Sequence, residues 1–329
     1  MFKTALATLI LLGGLNDLTA DQRTDWMKDG KWGVMTHYLA DLKAESDHIE
    51  MTPAKWNELI DHFDTEALAR QLKEAGAAWY QITIGQNSGY YLAPNATYEG
   101  IVHEPGKCSQ RDLISDLYRS LHRRNIRLLV YLPSGAPDED AKAISALDWR
   151  KGSYPNREFQ TKWEAVIREW SLRWGEKISG WWFDGCYFAD AMYRSPQPPN
   201  FASFAAAARA GNANALLAFN PGVNYSIISL TSEEDFTAGE IDIPEKLSIR
   251  PGSDGRVDGA QLQVLSYLGQ TWGVGKPRFS ADQAVSYSRK VWDQHGVVTW
   301  DVPSQLDGKL SPASLPLLRA IGKAAQKIH

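Results

Sequence analysis

The chain has 329 residues, 43% of them hydrophobic and 22% charged, an ordinary globular composition with enough length to bury a large core without covalent staples. Its formal net charge of −4 offers no basic balance for nucleic acid or for a polybasic contact with a membrane surface. The first 20 residues read as an export signal. Lys3 is the basic n-region, "ALATLILLGGL" from Ala5 to Leu15 the apolar h-region, and "LTA" ending at Ala20 the small-residue cleavage site. The apolar run is shorter than the ~20 residues of a membrane span. The expectation is a secreted or periplasmic protein whose mature domain is 21–329.

Beyond that point strand and helix patterns alternate. "WGVMTHY", Trp32–Tyr38, is an apolar strand. Lys55–Ala75 places Trp56, Leu59, Ile60, Phe63, Leu68 and Leu72 at helical spacing and stops at Gly76. "AWYQITI" from Ala78 is the second strand, and a helix follows from Ser109, with Ser109 and Asp112 placed as a capping-box-like start. "RLLVYLP", Arg127–Pro133, is a buried strand, Glu158–Trp174 a helix, and "GWWFDG" the fourth strand. Phe201–Ala210 is helical, "ALLAFNPG" from Ala215 is the fifth strand, and a weaker strand spans Phe236–Ile241. "VLSYLGQTWG" from Val264 and "GVVTWDVP" from Gly296 precede helices at Ala281–Gln294 and Ala313–Ile328. Eight strand–helix units with continuously apolar strands predict an α/β fold, a (β/α)8 TIM-type barrel in a single domain. A doubly wound open sheet is the alternative.

There are two cysteines, Cys108 and Cys186, which the sequence leaves either paired or as two buried thiols. No CxxC, HExxH or histidine cluster points to a metal, and no glycine-rich nucleotide motif appears, so no cofactor is expected. Asn95 and Asn224 open N-glycosylation sequons.

In such a barrel the functional face is formed by the C-terminal ends of the strands. Those ends carry His37 and Tyr38, Gln86 and Asn87, Tyr131, Asp184, Asn220, Asp235 with Glu240, Trp272, and Trp300 with Asp301. Amides and a histidine bond sugar hydroxyls, and the rings of Tyr38, Tyr131, Trp182 and Trp272 offer flat apolar faces. Two carboxylates among them divide glycosidic cleavage between a nucleophile or base and an acid. The expected ligand is a carbohydrate. "WWFDG" suggests aromatics filling the barrel, with Gly185 turning the chain directly after an upward-pointing Asp184. Each residue also has a plainer reading. Asp184 can be a strand-end cap, Glu240 a surface acid, His37 a satisfied core histidine, Gln86 and Asn87 loop polars, and Trp272 core packing. Tyr90, Tyr91 and Tyr98 read as a loop wall and Asp301 as structural.

These segments resemble, in order, the α-L-fucosidases of glycoside hydrolase family 29. "KWGVMTHYL" is similar to that family's first-strand motif, "RDLISDLYRSLHRRNIRLLVYLP" to its third unit, and "GWWFDG" to its nucleophile strand. "FNPGVN" and "DFTAGEIDIPE" resemble the segment with a Thr-Pro-Glu-like motif, and "VVTWDVPSQLDGKLSPASLPLLRAIG" the last strand and helix. The resemblance spans about Trp26–Ile328. It implies an exo-acting, retaining α-L-fucosidase-like hydrolase with Asp184 as nucleophile and Glu240 as acid/base, with Glu233, Glu234 and Glu245 as competitors for the second role. It implies substrate contacts from His37, Tyr38, Gln86, Asn87, Tyr131, Trp182, Asn220 and Trp272. Where the family carries a His-His-Asp-Gly run, this chain has "GQNSGY", which points to an altered sugar pocket, for L-fucose or a stereochemical relative. The chain stops at the last barrel helix, where family members often add a β-sandwich, so a bare barrel is expected. The alternative function is a catalytically silent carbohydrate-binding barrel.

Overall fold

The computed structural model describes residues 20–150, 156–249 and 254–328. All of the expected export segment before Ala20 lies outside the described residues. Seven strands form one parallel sheet: β1 Trp32–Thr36, β2 Trp79–Thr83, β3 Arg127–Pro133, β4 Gly180–Asp184, β5 Leu216–Phe219, and, after a small antiparallel ribbon of β6 Arg256–Val257 with β7 Ala260–Gln261, β8 Gln263–Tyr267 and β9 Val297–Asp301. They are bonded in the order β5-β4-β3-β2-β1-β9-β8. The gap between β5 and β8 is closed by residues 235–241. Asp235 N–H donates to Leu217 O at 2.9 Å on one side. On the other, Leu265 N–H donates to Gly239 O and Ile241 N–H to Leu265 O, each at 2.9 Å. Eight parallel staves therefore ring the molecule, the TIM-type barrel expected.

The sixth stave is held by isolated bridges and not by a regular ladder. Thr237 explains part of this: its hydroxyl donates to Gln263 O (2.8 Å) and accepts from Gln263 N–H (2.9 Å), replacing main-chain rungs. Gly239 explains the rest. Its φ is +61°, and a Cβ there would fall 1.9 Å from Gln263 O, so only glycine lets the two backbones approach so closely.

The helical pattern read as continuous over Lys55–Ala75 is two helices, Pro53–Asp61 and Thr65–Ala75. Asp64 breaks it by capping the second, accepting from Ala67 N–H at 2.8 Å. The next helix starts later than Ser109, at Leu113, because Asp112 is its cap. Asn95 is buried and consumed as a cap: Oδ1 accepts from Tyr98 N–H and Nδ2 donates to Val166 O. That first sequon has no free amide in the folded chain.

Side chains alternate across each strand. One parity faces the barrel axis: Met35, Trp79, Leu129, Tyr131, Trp182, Leu216, Ala218, Phe236, Ala238, Leu265 and Val297 form the inner cluster. The other parity faces the helices. Trp181 and Phe183 are of this second set, so of the three aromatics in "WWFDG" only Trp182 fills the barrel. Trp181 packs on Trp174 (ring centroids 5.8 Å apart) and Phe183 on Phe204 (4.7 Å). The floor of the barrel is plugged by Trp79, whose indole N–H donates to Thr299 Oγ1 at 3.0 Å, with Trp26 set edge-on beneath it.

Candidate active site

Carrying the inward parity one residue past the strands gives the ring above the core: His37 after β1, Asp184 ending β4, Asn220 after β5, Glu240 on the sixth stave and Asp301 ending β9. A cavity of about 360 Å³ opens over this ring. It is lined by His37, Gln86, Tyr131, Trp182, Asp184, Glu240 and Trp272, with Tyr187, Thr271, Met35, Leu39, Leu42 and Leu265 completing the wall. Seven of the ten residues singled out in the sequence thus share one cavity.

The other three lie elsewhere. Asn87 lines an adjoining cavity. Tyr38 has the outward parity and is fully buried among Trp56 and Phe63, its hydroxyl donating to Leu306 O at 2.6 Å. Its expected contact with a sugar has no geometric basis. Asn220 is buried below the cavity, where its amide joins the two acids. Nδ2 donates to Asp184 Oδ1 at 2.7 Å and to Glu240 Oε2 at 2.5 Å. Oδ1 accepts from Gly222 N–H at 3.0 Å, which fixes which end of the amide faces the carboxylates. The two oxygens that share one NH2 group can be no farther apart than these bonds laid end to end, about 5 Å, close to the ~5–5.5 Å carboxyl spacing of retaining glycosidases.

Asp184 is held from every side. Tyr131 donates to Oδ2 at 2.6 Å, and Gly185 N–H to Oδ1 at 2.7 Å, with Gly185 at φ +78°. Gln86 Nε2 in turn donates to the Tyr131 hydroxyl at 2.5 Å, and Tyr131 stacks on Trp182 with ring centroids 5.3 Å apart. Its oxygens are thus held in place by neighbouring donors. Glu240 is set differently. Burial, and then the charge of Asp184, push its carboxyl up to about 7, against the Asn220 bond and His37. One acid is solvated by donors while its neighbour is built to carry a proton near neutrality.

Among the described residues, His37 is the only basic side chain on the cavity wall. Burial works against its charge, but the charge and hydrogen bond of Asp301, with Asp184 and Glu240 behind, outweigh that and raise its pKa. Nδ1 lies 2.9 Å from Asp301 Oδ1, and Asp301 Oδ2 accepts from Gly273 N–H. Asp301, read from the sequence as structural, therefore orients a cavity residue and pins the loop that carries Trp272. Tyr187, which the sequence reading passed over, is 53% exposed and leans over Asp184 with its hydroxyl 3.4 Å from Oδ1.

The competing glutamates are elsewhere. Glu234 is buried behind β5, accepting from Phe219 and Leu230 N–H. Glu233 faces Arg209 at 3.6 Å, and Glu245 accepts from the Tyr287 hydroxyl near the surface. Cys108 and Cys186 are separate buried thiols. Among the described residues no His, Cys, Asp and Glu cluster could hold a metal, and no helix is long and apolar enough to cross a membrane. A larger cavity, of about 840 Å³, lies at the opposite end of the barrel beside the Ala20–Gly30 helix, remote from these carboxylates.

No family model matches the chain, and no curated protein matches it by sequence. Solved structures do. An endo-fucoidan hydrolase from glycoside hydrolase family 107 is similar with a TM-score of 0.71 over 93% of this chain and 93% of its own, at 15% identity. This is a fold that fucose-processing glycoside hydrolases use. A second family 107 endo-fucoidan hydrolase gives a TM-score of 0.71 at 16% identity, over 93% of this chain and 54% of its own. An α-L-fucosidase of family 29 from Bacteroides thetaiotaomicron, trapped as a covalent intermediate, gives 0.63 at 16% identity, over 93% of this chain and 75% of its own. The likeness is therefore to two fucose-active families, of which the motifs had suggested one.

Proposed function

We propose that the chain is a retaining glycoside hydrolase of the α-L-fucosidase type, acting on an L-fucosyl or stereochemically related residue. The observation that carries this reading is the single Asn220 amide shared by Asp184 and Glu240 at 2.7 and 2.5 Å. It brings two carboxyls to within about 5 Å of each other, consistent with the short spacing of double displacement, and one of them, Glu240, is raised toward neutrality.

In the first step a carboxylate oxygen of Asp184 attacks the anomeric carbon. The bond to the leaving oxygen breaks as Glu240 gives that oxygen its proton. In the second, Glu240, now anionic, takes a proton from water, and the water oxygen displaces Asp184 from the anomeric carbon. Both carboxyls return to their starting state. Tyr131 moderates the charge that returns to Asp184, and His37 offers a ring N–H to a sugar hydroxyl. The fold likeness and the motif order support fucose stereochemistry. Gln86 and Asn87 in place of the expected histidines distinguish this pocket, the former already bonded to Tyr131. We also propose export from the cytoplasm, on the character of residues 1–20; intact mass of the secreted product would reveal cleavage after Ala20.

The test is hydrolysis of aryl α-L-fucosides and related aryl glycosides by wild type and Asp184→Asn. Turnover by wild type that falls at least ~10³-fold in the variant, with a 2-deoxy-2-fluoro glycosyl adduct mapping to Asp184, supports the reading. Glycan binding without any turnover would favour a silent binding barrel.

A further inference from the structure

The cavity over the acids does not end at Asp184. A second cavity, of about 250 Å³, adjoins it, and Gln86, Asp184 and Tyr187 line both. Its own far wall is Trp149, Phe188, Asn87 and Asp138. It lies over the loops after β2, β3 and β4. Glu240 stands on the sixth stave, so the second cavity and Glu240 are on opposite sides of Asp184 around the ring.

The far wall is a built surface. The Trp149 indole N–H donates to Asp138 at 3.0 Å, and its ring packs on Phe159 with centroids 4.5 Å apart. It lies so close over Gly135 that a Cβ there would fall 2.6 Å from the ring. The ring is thus held by three contacts and lines the second cavity. Phe188 is 43% exposed at the rim, next to Tyr187 at 53%. A fixed indole, a second aromatic and the Asn87 carboxamide are the groups that bind a sugar ring, apolar face to aromatic and hydroxyls to amide.

Charge narrows the class. No lysine or arginine lines either cavity among the described residues, while Asp138, Asp184 and Glu240 do. A sulfated or carboxylated sugar would meet like charge here.

We propose that the second cavity binds a further neutral sugar residue of the same chain, joined to the reacting sugar on its non-leaving side. The direction follows from the acid: the leaving oxygen departs toward Glu240, so what lies beyond Asp184 stays attached to the sugar that Asp184 attacks. The bond cleaved is then internal to a neutral glycan, unlike the exo mode that the motif resemblance implies. This rests on the hydrolase reading above.

The experiment compares kcat/KM on an aryl α-L-fucoside with that on the aryl disaccharide glycoside carrying one more neutral fucose on the non-reducing side. Wild type should prefer the longer substrate by at least 10-fold. Trp149→Ala and Phe188→Ala should each remove most of that preference and leave the monosaccharide rate within about 2-fold. Phe188 is at the surface, so its variant keeps the proposal testable should Trp149→Ala fail to fold. A sulfated version of the disaccharide glycoside should be turned over no faster than the monosaccharide. Wild-type turnover of the monosaccharide with no gain from the second sugar, or variants that affect both substrates alike, would overturn the second site and leave the hydrolase standing. Wild type as inert as Asp184→Asn on every glycoside would overturn both.

Discussion

Asp301 Oδ1 lies 2.9 Å from His37 Nδ1, across β9 and β1, which are neighbours in the ring. Burial works against the charged imidazole, and the charge and hydrogen bond of Asp301, together with the charges of Asp184 and Glu240, outweigh it. In Asp301→Asn the burial should win, and the His37 pKa should drop from above the ordinary 6.5 to below it, read by NMR titration of the imidazole. The folded-state pKa is raised in wild type, so the stabilisation is complete below the unfolded value and is lost as pH climbs through the folded one. Wild type should lose stability over that interval, whereas the variant, its folded pKa now below the unfolded value, should gain stability as pH rises from the lowered pKa to about 6.5. Activity should fall about 10²-fold at neutral pH, the lower end of the range for loss of one positioned donor.

Asn220 is a positioning residue, and its loss should be legible in a pH profile as well as in a rate. Asn220→Ala removes the donor that lowers the Glu240 pKa and leaves two acids facing each other. The alkaline limb of kcat/KM should move to higher pH, with kcat down about 10²–10³-fold. A lower rate with an unmoved limb would mean that Asn220 merely packs.

Glu240, raised to about 7, should make kcat/KM decline above neutrality as the acid loses its proton. Glu240→Gln should abolish that limb. It should cost about 10²–10⁴-fold on glycosides with poor leaving groups and far less on dinitrophenyl glycosides, whose oxygen departs without a proton. Stability should move the other way. The folded state holds the Glu240 proton more tightly than the unfolded chain, so wild type loses stability as pH rises from about 4.5 to 7. Above pH 7 Glu240→Gln should be the more stable protein, by at most about 3 kcal/mol for a carboxyl that opens onto a cavity. Equal urea midpoints at pH 8 would refute this.

Gly33→Ala tests the barrel floor. The added Cβ would fall 2.2 Å from Trp79 Nε1, and Trp79 is fully buried and tied to Thr299. Overpacking of this kind costs about 1–3 kcal/mol, so the thermal midpoint should drop by several degrees, with the loss reduced when Trp79 is shortened to Phe.

The strand–helix alternation was readable because each buried parallel strand is a continuous apolar run. Asp184 was readable because it ends such a run, and Glu240 because it falls in the segment that resembles the Thr-Pro-Glu-like motif. What escaped was set by parity and by distant partners. Tyr38 and His37 are adjacent, and only counting in twos from inward-facing Met35 separates a core ring from a cavity wall. The same count would have placed Asp301 beside His37. Asn220 was seen as a polar strand end, but its part as the link between two acids depends on residues 36 and 20 positions away. Trp149 follows a short helix far from any strand end, and no local pattern points it at Asp184.

The two acids ride on very different supports. The nucleophile candidate ends a strand paired along its length with both neighbours, whereas its partner sits on the one stave fastened at scattered points. Insertions or sequence drift in that loosely pinned stretch can move the Glu240 carboxyl while the cylinder and Asp184 stay put. A barrel built this way can retune one acid without redesigning the support of the other.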